Sequence, residues 1–235
     1  MGFARRYGVD SNRIVVAGDS AGATLAAAVA LKLRDTYLRG PKLKMQVLLY
    51  PALQTIDFNT PSYQKNVCDP ALDQAYMVSF WLWYAFGSNG TADFSLKDFA
   101  RNYHTTASAK AKYARYVDWR LLPAKTYTPH HKRNAMRFRC GSTRLWRRVE
   151  RVFTNPYFSP LLTSTTRGLP RTYIMVMDHD VLKDEGIMFA RRLEAGGVKV
   201  KLAQCPGTHG LFNLMGMKYA QRELGNIAKY ITDYV

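Results

Sequence analysis

The stretch Arg13-Ile14-Val15-Val16-Ala17-Gly18-Asp19-Ser20-Ala21-Gly22 decides the fold. Arg13 to Ala17 is a short β-branched run between Asn12 and Gly18, which reads as a buried strand. Ala23 to Arg34 is rich in Ala and Leu, residues that lose little freedom in a helix. Between them lies a tight turn flanked by glycine. Strand, turn and helix follow one another without a spacer.

The same alternation continues downstream. Gly40-Pro41 ends the helix, and Met45 to Tyr50 is a second apolar run stopped by Pro51. Residues 52–70 read as loop, broken by Pro61 and Pro70, and Leu72 to Phe86 as an apolar helix. Residues 88–155 have weak periodicity and read as an insertion. Regular patterning resumes after Leu169-Pro170. Thr172 to Met177 reads as a strand, Asp184 to Ala195 as an amphipathic helix stopped by Gly196-Gly197, Val198 to Ala203 as an alternating strand and Phe212 to Tyr234 as a last helix. Alternating strands and helices predict the α/β class, a parallel sheet of about four strands flanked by helices. The strand at Arg13–Ala17 is expected to be an unpaired apolar edge.

Composition narrows the function. The chain has 235 residues, the length of one domain, and 47% of them are hydrophobic, enough for a sizeable core. Its net charge is +17, and Arg101 to Arg151 holds fourteen Lys or Arg against Asp118 and Glu150. Such a block suits an anionic membrane surface or an acidic partner, and more ordinarily it is a solvated, poorly ordered insertion. No zinc finger or RNP motif accompanies it, so no specific nucleic-acid partner is expected. Cys68, Cys140 and Cys205 are odd in number and far apart, and no metal and no cofactor are expected. Asn89-Gly90-Thr91 is a glycosylation sequon. The start carries no signal-peptide pattern, and the longest apolar run, Ala75 to Phe86, is too short to span a bilayer.

Gly18-Asp19-Ser20-Ala21-Gly22 carries the chemistry. Gly-x-Ser-x-Gly between a strand and a helix is a nucleophile elbow, whose sharp turn lifts the Ser20 hydroxyl above the sheet. Close approach of neighbouring backbone calls for glycine at both outer positions. The Ala21 N–H becomes an oxyanion donor, and the helix N-terminus favours negative charge there. A serine nucleophile needs a base, and the base needs an orienting acid; in such sheets they follow in the order Ser, Asp, His. Of His104, His130, His131, His179 and His209, the first three lie in the basic insertion. His209, in Pro206-Gly207-Thr208-His209-Gly210, falls between the last strand and the last helix, where the base belongs. Asp178, Asp180 and Asp184 cluster past the Thr172–Met177 strand, and spacing does not choose among them. Asp184 and Glu185 also suit the first turn of a helix, where acids complement the dipole.

At these residues the chain resembles the hormone-sensitive-lipase family of α/β-hydrolases, in the arylacetamide deacetylase and neutral cholesterol ester hydrolase subgroup. The resemblance rests on Gly18–Gly22 with its Ala-rich helix, on Leu48-Leu49-Tyr50-Pro51-Ala52-Leu53-Gln54 through Pro61-Ser62-Tyr63-Gln64, and on Leu169-Pro170 with Asp180-Val181-Leu182-Lys183-Asp184-Glu185-Gly186. It is close over about residues 1–67 and 156–235 and thin across 88–155. It implies that Asp180, first in the Asp-x-Leu-x-Asp motif, is the acid, and that His209-Gly210 is the family's His-Gly pair. It divides the chain into hydrolase core with the elbow (1–67), a variable basic cap-like insertion (68–155) and hydrolase core with the acid and base (156–235).

The implied activity is hydrolysis of carboxylic esters or arylacetamides with lipophilic acyl groups. The implied partners are a small lipophilic ester or amide and a membrane surface, and the implied location is the luminal side of the endoplasmic reticulum membrane. Relatives often have glycine at Ala23 and a cysteine at Met177. They also carry a His-Gly-Gly-Gly-like loop upstream of the elbow, and the nineteen residues before Ser20 contain none. The chain thus resembles an N-terminally truncated member. The alternative expectation is a weak or inactive hydrolase-like protein that binds a partner or an anionic membrane surface.

Overall fold

A computed structural model describes residues 4–36, 42–91, 93–126, 128–131, 141–210 and 218–235. Among these, four parallel strands form one sheet: β1 (Val15–Asp19), β2 (Met45–Leu49), β3 (Arg171–His179) and β4 (Val200–Thr208), in that spatial order. The register runs Asp19 to Leu49 to Met175 to Ala203, so every carboxyl end points the same way. Strand β1 is the edge and is partly exposed along its length.

Both faces of the sheet are covered, as an unbroken apolar run in a parallel strand requires. Along β3 the side chains alternate between two clusters. Ile174 and Val176 face one side, while Tyr173, Met175 and Met177 face the other. On the first side packs helix α1 (Ala21–Thr36), through Ala23, Ala26, Ala27, Ala30 and Leu31. The spacing is one helical stripe, and its small side chains let the helix lie close to β1 and β2. The second face is closed by Ala220 and Ile227 of α8 (Lys218–Tyr234). The expected residues 212–217 of that helix lie outside the described residues.

Between β2 and β3 run α2 (Pro61–Lys65), α3 (Gln74–Phe86), α4 (Leu96–Ala100), α5 (Ala107–Tyr113) and α6 (Thr143–Phe153). Two expectations change here. Residues 52–70 are not an open loop: Ala52 to Ile56 and Phe58 to Tyr63 are buried, and Pro61, with its fixed φ, opens α2. The described part of the basic insertion forms short helices. In α6, Trp146, Val149 and Phe153 recur at helical spacing and join the main core, while Arg144, Arg147 and Arg151 fall outside that stripe. The Ser142 hydroxyl accepts from the Leu145 N–H and caps the helix.

His104, at the centre of the insertion, is fully buried and stacks on Phe99 at 4.7 Å. Its Nε2–H donates to the Thr55 carbonyl at 2.9 Å. Burial lowers its pKa to about 4, so the ring is neutral near pH 7.

Helix α7 (Lys183–Ala195) follows β3 and packs under β3 and β4. Its first turn holds Asp184 and Glu185, both buried, and they do more than complement the helix dipole. Glu185 accepts from the Leu53 N–H at 2.7 Å and the Gln54 amide at 2.9 Å. Asp184 accepts from the Ser62 N–H at 2.6 Å. Two carboxyls thus satisfy the backbone N–H groups of Leu53 and Ser62, while Gln54 Oε1 and Asn102 Oδ1 accept from Ile56, Asp57 and Phe58 between them. Burial raises both pKa values, that of Glu185 well above its ordinary range, and the donated hydrogen bonds oppose the rise.

Candidate active site

The sheet delivers its chemistry at the carboxyl ends, as open parallel sheets do. Ser20 is the first residue beyond β1. Its N–H still donates to Leu49 O at 2.9 Å, and its φ is +51°. A side chain in the left-handed region costs roughly 1–2 kcal/mol. Here the cost is imposed by the strand on one side and by α1 on the other.

The two motif glycines play unequal parts. A Cβ on Gly18 would sit 2.7 Å from Ala23 N and closer still to the carbonyl carbon and oxygen of Gly22, all backbone. At Gly22 the nearest atom would be Asp19 Oδ1 at 3.7 Å, an ordinary contact. The turn therefore demands glycine at Gly18 and merely accepts it at Gly22.

Three of the expected residues meet above the sheet. His209 Nε2 lies 2.9 Å from Ser20 Oγ, and His209 Nδ1 lies 2.8 Å from Asp180 Oδ2. The Asp180 carboxyl is 1% exposed. Its other oxygen accepts from the Leu182 N–H at 2.9 Å, and its carbonyl accepts from the Asn66 amide at 3.2 Å. With Nδ1–H donating to Asp180, Nε2 is left as the acceptor for the serine hydroxyl. Ala21 opens α1, so its N–H is one of the first-turn donors that have no acceptor within the helix.

The rival acids are occupied elsewhere. Asp178 pairs with Lys183 at 2.8 Å and accepts from Gln204 at 2.6 Å. Burial pushes its carboxyl up, but those two partners outweigh it and hold it below the ordinary range. Asp184 serves Ser62. His104 is a core residue, His131 accepts from the Thr128 N–H at 3.0 Å, and His179 ends β3. The backbone of Asn89 enters a short 3-10 turn, Asn89–Thr91; its side chain lies outside the described residues. Cys68 and Cys205 are free thiols, and Cys140 lies outside the described residues.

Sequence reading missed several supports of the site. Thr208, next to His209, donates to Asp69 at 2.7 Å and ties the histidine loop to the segment after α2. The Tyr50 ring meets His209 edge to face, with centroids 4.8 Å apart. Asn66 and Asp69 carried no signal in a segment read as loop. The Tyr50-Pro51 pair registered as a strand stop and as part of the family resemblance, with no role at the site.

Beside Ala21 opens an apolar cavity of about 250 Å³. Thr24 and Leu25 of α1 line one wall, and Met77, Phe80, Trp81 and Tyr84 of α3 the other. The Thr24 hydroxyl is turned away to the Ala52 carbonyl. A carbonyl held at Ser20 would have its lipophilic substituent facing this wall.

Comparison with known proteins agrees with this fold. The family described as alpha/beta hydrolase fold matches residues 3–111 and 104–213. Neutral cholesterol ester hydrolase 1 of Bos taurus is 39% identical over 212 residues, which are 87% of this chain and 50% of that protein. Arylacetamide deacetylase of Bos taurus is 38% identical over 224 residues, 92% of this chain and 54% of that protein. The chain spans about half the length of the curated relatives it matches. Among solved structures, esterase LipW from Mycobacterium marinum superposes with a TM-score of 0.66 at 24% identity, covering 99% of this chain and 53% of that one. The chain belongs to the α/β-hydrolase fold family and is similar to its carboxylic ester hydrolases.

Proposed function

We propose that the chain carries the serine triad of a hydrolase acting on carboxylic esters or arylacetamides with lipophilic acyl groups. The observation that carries this reading is the single imidazole that bridges Ser20 and Asp180 at 2.9 and 2.8 Å. Ser20 Oγ attacks the substrate carbonyl carbon while His209 Nε2 takes its proton. Asp180 holds the ring orientation and offsets the imidazolium charge. The carbonyl oxygen becomes an oxyanion beside the Ala21 N–H. When the tetrahedral intermediate collapses, His209 returns the proton to the leaving alcohol or amine, and the acyl group stays on Ser20. A water then repeats the sequence, with His209 as base, and releases the acid.

The apolar wall of α1 and α3 supports lipophilic acyl groups, and the similarity to neutral cholesterol ester hydrolase and arylacetamide deacetylase supports the ester and amide classes. In this reading residues 1–67 and 156–235 are the catalytic core and 68–155 its cap. A membrane surface is a further partner. Tyr76, Phe80, Trp83 and Tyr84 stand exposed on α3, and such amphipathic rings suit a bilayer interface. Resemblance supports the luminal face of the endoplasmic reticulum membrane as the location. No helix among the described residues is long and apolar enough to cross a membrane.

The test is labelling with a fluorophosphonate, alongside hydrolysis of 4-nitrophenyl esters. The parent chain is expected to be labelled and to turn over. Ser20→Ala and His209→Gln are expected to lose both. A parent chain that is neither labelled nor active would overturn the reading.

A further inference from the structure

Ser20 has a counterpart one strand away. Asp19 and Leu49 are register partners, so Ser20 and Tyr50 are the next residues on neighbouring strands. Each extends the ladder by one bond: the Ser20 N–H donates to Leu49 O at 2.9 Å and the Tyr50 N–H to Met175 O at 2.7 Å. Each then turns left-handed, with φ of +51° and +37°. Tyr50 has neither the small side chain nor the local polar group that makes this region tolerable. Strain of this kind persists only where surrounding structure over-determines it.

The strain places the Tyr50 side chain. Its ring is 1% exposed and meets the His209 ring at 4.8 Å with an interplanar angle of 63°. Its hydroxyl reaches Asp19 Oδ2 at 3.3 Å, so the ring is anchored on the elbow itself. Among the described residues, His209 is also held at Nδ1 by Asp180 and at Nε2 by Ser20. Hydrogen bonds at these two nitrogens, which flank Cε1, fix the ring's position but restrain its tilt about the line joining them only weakly. Asp69 restrains only the backbone neighbour, through Thr208.

We propose that Tyr50 is a positioning residue for His209, a second left-handed turn that fixes the tilt of the imidazole so that Nε2 stays on Ser20. This rests on the reading of Ser20, His209 and Asp180 as a triad. The phenol does not touch the reacting atoms. It acts through the plane of the base, and Asp19 acts through the phenol. The contact is of a type that prefers an edge-to-face arrangement, and its loss should be felt in the chemical step, not in substrate binding.

The experiment pairs steady-state kinetics with a spectroscopic readout. Tyr50→Leu keeps most of the buried volume and removes the ring. It should lower kcat about tenfold with KM within about twofold of the parent. Tyr50→Phe keeps the ring and loses the anchor on Asp19. It should lower kcat about threefold, as should Asp19→Ala, which removes the acceptor at an exposed position. Proton NMR reports the far-downfield Nδ1 resonance of a histidine held on a buried carboxylate. It should be sharp in the parent and in Tyr50→Phe, and broadened or lost in Tyr50→Leu.

Tyr50→Leu with parental kcat, or with its loss entirely in KM, overturns the proposal. So does a downfield resonance unchanged in Tyr50→Leu, whether or not the parent turns over; a parent that shows the resonance but no turnover would sink the hydrolase reading alone. Should Tyr50→Leu fail to fold, parental kcat in both Tyr50→Phe and Asp19→Ala overturns the proposal.

Discussion

Adding one methyl group at Gly18 should disable the elbow, while the same change at Gly22 should not. The Gly18 Cβ would meet the carbonyl carbon and oxygen of Gly22 and, at 2.7 Å, the nitrogen of Ala23. Non-bonded heavy atoms of this kind rest about 3.5–4.0 Å apart. All three neighbours are backbone in the first turn of α1, so no side chain can rotate away. The strand and the helix must separate by about 1 Å. Ser20 lies between them, and its Oγ is 2.9 Å from His209 Nε2. A displacement of that size takes the pair out of hydrogen-bond range. Misplacing a reacting group by about 1 Å costs on the order of 100-fold in rate, and overpacking costs about 1–3 kcal/mol in stability. The Gly22 Cβ would meet only Asp19 Oδ1 at 3.7 Å. The assay is the second-order rate of fluorophosphonate labelling, with a thermal melt of each variant. Gly18→Ala should label about 100-fold slower while still melting cooperatively. Gly22→Ala should stay within about threefold of the parent. Equal losses in the two variants, or no loss in Gly18→Ala, would refute the steric argument.

Three other outcomes follow from the same contacts. The pKa of His104 falls from 6.5 to about 4 on folding, so the unfolded chain binds the extra proton between those values and stability drops as pH falls through that window. The drop reaches about 3 kcal/mol, and His104→Gln, compared with the parent by urea denaturation at pH 7 and pH 4, should abolish that part of it; parallel curves would refute the assignment. Glu185→Leu leaves the Leu53 N–H and the Gln54 amide without their buried acceptor and should cost about 3 kcal/mol, read as a lower urea midpoint, and a loss under about 1 kcal/mol would count against the anchoring role. Leu25→Trp fills the cavity beside Ala21, so kcat/KM for an octanoyl ester should fall about tenfold while that for an acetyl ester changes little; equal effects on both would place the acyl group elsewhere.

What could be read from the sequence was local. Val15 to Gly22 specifies strand, turn and helix within a few residues, so the elbow needs no distant information. His209 was legible from its place between the last strand and the last helix. Asp180 was not legible from spacing, because Asp178, Asp180 and Asp184 all sit at the end of β3. Their separation is tertiary: Lys183 and Gln204 claim Asp178, and Ser62 claims Asp184. The left-handed turn at Tyr50 left no trace, since tyrosine is a good strand residue and its strain arises only when Met175 and Asp19 are in place. The described helices of the basic insertion were hidden for a different reason. Its helices are short, and charge dominates their composition; the buried stripe of α6 is three residues wide.

Ser20 and His209 are 189 positions apart in the chain and 2.9 Å apart in space. A ribosome makes Ser20, the proposed nucleophile, well before His209, its proposed base. Until the last strand has been threaded beside β3, the hydroxyl has no proton acceptor and the acid has nothing to orient. In the proposed reading the triad is therefore incomplete until residue 209 has been made and β4 has docked. Stalled chains released before residue 209 should escape fluorophosphonate labelling altogether.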